Sequence, residues 1–138
     1  MNRQFYIYLG GELVGQKWEF SEPFKDVDWA IYKVFVEAMK SAPLDVKIDT
    51  LVVLVFREWD IAKKTWRECT FRCTYGTFSF ARMPESARVC FFRFLCNEMD
   101  DRLANSPPHS LIERPESLLD KYLAHYKQFF PEDKEKTI

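Results

Sequence analysis

The chain has 138 residues, which fits one domain, since two would each need roughly 50 residues and a core of their own. Hydrophobic residues make up 47% and charged residues 30%, a balance that excludes a disordered chain. Lys and Arg number 20 against 21 Asp and Glu, a formal charge of −1, so no global field draws in nucleic acid or an anionic membrane.

Phe5 to Leu9, Gly10-Gly11 and Glu12 to Val14 read as a first hairpin, because paired glycines supply the positive φ angles of a tight turn. Gln16 to Phe20 continue the second strand beyond a kink at Gly15. From Ser21 or Asp26 to Lys40 the period becomes helical. Val27, Ile31, Val34 and Ala38 form one stripe, with Trp29, Tyr32, Val36 and Met39 beside it. Apolar residues over so wide an arc imply a helix buried on more than one side, and Ala42-Pro43 ends it.

Leu51 to Phe56 is short, apolar and β-branched, hence a central strand. Paired with Trp66 to Thr74 across a turn at Ile61 to Lys64, it sets Trp59 opposite Trp66, Glu58 opposite Arg67, Arg57 opposite Glu68 and Phe56 opposite Cys69. The aromatic pair and the two opposite-charge pairs contribute roughly 0.2–1 kcal/mol each. A one-residue slip would exchange the faces, so the register is specified. It turns Val52, Leu54, Phe56, Cys69, Phe71 and Cys73 toward a core. Val53, Val55, Arg57, Trp59, Trp66, Glu68, Thr70 and Arg72 point the other way.

A turn at Tyr75-Gly76 leads into a further strand, Thr77 to Met83. Pro84 opens a second helix whose inward stripe is Val89, Phe92, Cys96, Met99 and Leu103, with Arg93, Asn97, Asp100 and Asp101 opposite as a solvated face. Asn105 to His109 reads as a stiff connector, Pro115 starts a third helix through Tyr122 to Phe130, and Pro131 stops it. The expected fold is α+β, an antiparallel sheet of about five strands with helices in the order ββ-α-βββ-α-α. One domain spans residues 1–130, and residues 131–138 form a charged flexible tail.

The sequence offers no motif that carries chemistry. Cys69 and Cys73, and Cys90 and Cys96, lack metal-ligand spacing, and His109 and His125 fall outside any finger pattern. Buried packing is the expected role of the cysteines. Neither a nucleophile elbow nor a zinc-protease helix is present, and Gly10-Gly11 followed by Gly15 matches no phosphate-binding loop. The expectation is a protein without enzymatic activity, metal or cofactor. The first residues lack the apolar block of a secretory signal, and the longest apolar run, Leu51 to Phe56, is too short to span a membrane. With four cysteines, too few for a disulfide scaffold, this points to a cytoplasmic location.

Aromatic residues reach 17%, with 13 Phe, 6 Tyr and 4 Trp, more than a core of this size absorbs. The outer sheet face and hairpin tip gather Trp59, Trp66, Arg57, Arg72, Lys63 and Lys64, the residue types that dominate protein interfaces. The expected function is therefore docking on a partner protein and blocking it, as an inhibitor, immunity or anti-defence protein or an adaptor does. A symmetric dimer through the same patch is a variant. The alternative is RNA or single-stranded nucleic acid held by the same basic and aromatic strands. The α-βββ-α order of residues 26–105 resembles the double-stranded-RNA-binding domain. That family contacts phosphates through a basic cluster at the start of its second helix, where this chain reads Pro84-Glu85-Ser86-Ala87-Arg88.

Overall fold

A computed structural model describes residues 2–41, 45–75, 85–105 and 109–112, together with 121, 122 and 124. The fold is α+β. Strands β1 (Arg3–Leu9) and β2 (Glu12–Phe20) are followed by a 3-10 turn (Phe24–Asp26) and helix α1 (Asp28–Lys40). Strands β3 (Leu51–Asp60) and β4 (Thr65–Thr74), helix α2 (Glu85–Asn105) and a short strand β5 (His109–Ile112) complete the described elements. They form one sheet in the order β2-β1-β3-β4-β5, antiparallel except for the β4–β5 pair.

The β3–β4 register is the one the side-chain pairs demand: Phe56 pairs with Cys69, Arg57 with Glu68, Glu58 with Arg67 and Trp59 with Trp66. Strand β1 docks on the other side of β3, with Phe5 opposite Phe56 and Ile7 opposite Leu54. This places Phe5, Ile7, Leu54, Phe56, Cys69 and Phe71 on one buried face. Both helices cover that face. Phe92 of α2 meets Tyr32 and Phe35 of α1 at 5.2 and 4.9 Å between ring centres, and Phe91 contacts Phe71. Truncating a ring such as Phe91 to alanine would cost about 3–5 kcal/mol, because the tightly packed neighbours cannot close the space.

The helices are buried differently from their simplest stripes. On α1 the inward residues are Ile31, Tyr32, Phe35 and Ala38, whereas Trp29, expected on a buried stripe, is 52% exposed. On α2, Ala87, Phe91 and Leu95 join Phe92, Cys96, Met99 and Leu103 in the core. That helix packs against both α1 and the sheet, so two adjacent stripes are covered.

Asp100 departs from the expected solvated face. Its two carboxylate oxygens accept hydrogen bonds from the backbone N–H groups of Phe24 (3.0 Å) and Lys25 (2.8 Å), fixing the turn that feeds α1. Glu58 likewise makes its close ion pair with Arg3, at 2.9 Å. His109, expected in a connector, instead enters β5, which pairs in parallel with β4 from Glu68 to Phe71. The expected strand Thr77 to Met83, the Pro84 start and the 131–138 tail lie outside the described residues, as does most of the expected third helix. Its one described core residue, Tyr122, is buried against Phe91 and Phe94 and donates its hydroxyl to the Ala87 carbonyl at 2.8 Å. At this position the C-terminal segment therefore seats on α2, away from the outer sheet face.

Candidate functional site

The face of the sheet turned away from α1 and α2 carries Gln4, Tyr6 and Tyr8 from β1, Arg57 and Trp59 from β3, and Trp66 and Glu68 from β4, as strand alternation and the pairing require. Arg57 sits at its centre. Its guanidinium lies 4.6 Å from the centre of the Trp66 ring, donates to Gln4 Oε1 at 3.2 Å and stands 3.5 Å from Glu68. The last contact is long enough to be an ion pair rather than a hydrogen bond. Contact with an indole face and a carboxylate together fixes the guanidinium in place.

Trp66 also meets Trp59, ring centres 5.3 Å apart and planes at 68°, an edge-to-face pair of half-buried indoles. Beyond them the chain turns through Ile61, Ala62, Lys63 and Lys64, all exposed, with Asp60 accepting the Lys63 backbone N–H at 3.1 Å. Ile61 is 75% exposed at the very tip. Lys64 takes a left-handed conformation, φ +52°, a region that costs a residue with a Cβ. Arg72 is exposed too, but it pairs with Val53 toward the opposite end of the hairpin. The structure thus gathers Arg57, Trp59, Trp66, Lys63 and Lys64 at one end and leaves Arg72 apart.

The middle of this face is closed. Tyr6 and Val55 are buried, and Val53 is half-buried. The cause at Tyr6 is partly local. Strand β2 bulges at Gly15 (φ +74°), where four steps from Val14 to Trp18 span two steps of β1, and Lys17 comes to lie 4.7 Å over the Tyr6 ring. Burial, with Glu68 nearby, pushes the Tyr6 hydroxyl pKa above its usual value despite the opposing effect of Arg57. The most exposed run at the hairpin end is the turn Ile61 to Lys64, while Arg72 is exposed at the other end.

A second feature escaped the sequence. Between β2 and α1 runs a groove of about 610 Å³, lined by Val14 and Trp18 from the strand and Ala30, Val34 and Ala38 from the helix. Trp18, 41% exposed, forms its lip. Alternation along β2 could have shown Trp18 facing the helix side, but only the β2–α1 geometry creates the groove.

The described residues hold no metal-ligating cluster: no three His, Cys, Asp or Glu side chains there come together as a metal site. Cys69, Cys73 and Cys96 are buried, and burial, reinforced by Asp28 and Asp100, pushes the Cys96 thiol pKa well above its usual range. No described helix is long and apolar enough to cross a membrane. Compared with protein-family models, with curated proteins and with solved structures, the chain matches none.

Proposed function

We propose that this chain is a non-enzymatic, cytoplasmic protein-binding domain that docks the end of its β3–β4 hairpin on a partner protein and blocks it. The observation that carries the reading is the order of side chains at that end. An exposed apolar residue, Ile61, and two exposed lysines stand in front of a half-buried indole pair braced by Arg57. Aromatic anchors fixed before contact lose little freedom on binding, which is the property of interface hot spots. Lys63 and Lys64 would select a partner with an acidic rim and speed the encounter.

Nucleic-acid binding through the same strands draws less support, because Glu68 neutralises Arg57 and Tyr6 is buried where a base would have to stack. The test is retention of binding partners from the native cell by the wild-type chain and by a variant carrying Ile61→Ser, Lys63→Glu and Lys64→Glu. The reading expects a protein held by the first and lost by the second at equal melting temperature. Retained nucleic acid, released steeply as salt rises, would instead favour the alternative.

A further inference from the structure

We propose that two copies of this chain pair through β2 in antiparallel fashion, about a two-fold axis at Trp18. Strand β2 is an edge of the sheet, and its outward backbone groups have no strand partner among the described residues. The register with β1 shifts after Val14, where Gly15 takes a positive φ, whereas Lys17 already lies over the ring of Tyr6, next to the Phe5–Trp18 pair, so the stretch able to extend the sheet runs from Lys17 to Phe20.

Within that stretch the charges select one register. Centred on Trp18, antiparallel pairing sets Lys17 opposite the second copy's Glu19, twice by symmetry, and Trp18 opposite itself. Centred one residue earlier it would oppose Lys17 to Lys17, and one residue later Glu19 to Glu19. A register pairing Lys17 with Glu12 would have to run through the bulge. Among the described residues neither Lys17 nor Glu19 has an ion-pair partner in its own chain. Lys17 rests on the Tyr6 ring, and Glu19 accepts one hydrogen bond, from Gln4 at 2.9 Å.

Because a residue on the axis faces its own copy, the two sheets keep their helices on the same side. The grooves between β2 and α1 then join, and the exposed Trp18 rings that line them are covered. The α1 helices run antiparallel across the joined groove. Lys33 and Glu37, one turn apart on its rim, repeat the self-complementary pattern of Lys17 and Glu19. A strand this short buries an area at the small end of specific interfaces, so the association should depend on concentration.

Sedimentation velocity of the full chain over a range of concentrations tests this. Wild type should shift from monomer to dimer as concentration rises. Lys17→Glu and Glu19→Lys should each weaken the dimer about tenfold or more, and the double exchange Lys17→Glu with Glu19→Lys should restore it. Circular dichroism confirms that each variant is folded. A chain that stays monomeric overturns the proposal. A dimer indifferent to the single exchanges, or not regained by the double one, overturns it as well.

Discussion

The carboxylate of Asp100, on α2, closes on the backbone N–H of Phe24, a residue 76 positions earlier at the entrance to α1. With Lys25 it satisfies two amides of a turn that has no side-chain cap of its own. Asp100→Ala should therefore lower stability by about 1–2 kcal/mol, the range for losing charge-assisted hydrogen bonds at a partly exposed site. Asp100→Asn, which keeps one acceptor oxygen, should lose about half as much. Urea unfolding midpoints measure both, and equal midpoints for all three proteins would mean that the turn holds without the carboxylate.

Alkaline pH should destabilise the fold in a defined order. Burial raises the Cys96 thiol above its usual 9.0, and burial likewise raises the Tyr6 and Tyr32 hydroxyls above 10.0. Once the pH passes those usual values, the unfolded chain releases these protons while the folded chain still holds them. Stability is then complete below about pH 9 and falls as the pH rises toward the folded values. Denaturant titrations at pH 7, 9 and 10.5 check this, and Tyr32→Phe should flatten the final limb. A stability that climbs above pH 9 would contradict the burial of these groups.

Alkylation should distinguish the four thiols. Cys69, Cys73 and Cys96 are buried, and Cys90 is half-exposed on α2. Iodoacetamide at neutral pH should add one group quickly, at Cys90, and further groups only at the rate of unfolding. Peptide mass spectrometry gives the positions.

Lys64→Gly relieves a left-handed backbone at the hairpin tip. It should stabilise the chain by about 0.5–1 kcal/mol, the cost of a Cβ at positive φ less the extra freedom of unfolded glycine. The same change should weaken capture of the partner, since it removes a tip cation. A gain in melting temperature with a loss of binding would show a residue kept for contact rather than for folding.

The sheet was legible where side chains constrained one another. Trp59 with Trp66 and Arg57 with Glu68 could satisfy only one register, and that register sorted the core from the outer face. The kink expected at Gly15 is a bulge, the irregularity that a glycine inside a strand commonly marks. The helices were harder. Periodicity on α1 ranked Trp29 with the buried set and passed over Phe35, because it cannot tell which stripe a neighbour will cover. Asp100 looked solvated for the same reason: its partners lie far away in sequence. Strand β5 was missed because four residues hold too little alternation to signal a strand. At the candidate site the types of residue were readable, and the register already set Arg72 opposite Val53, far along the strand from Trp66; the closure over Tyr6 and Val55 was not readable.

The two margins of the sheet are unequal. On one side β5 contributes only four residues, which offers a newcomer little backbone to grip, while β2 on the other runs for nine. Growth by strand addition is therefore directional. In the dimer we propose, the two-fold axis would occupy the long margin of each copy, leaving only the short β5 margins at the ends among the described strands. Among the described strands, that pairing would leave little open edge on which further copies could add.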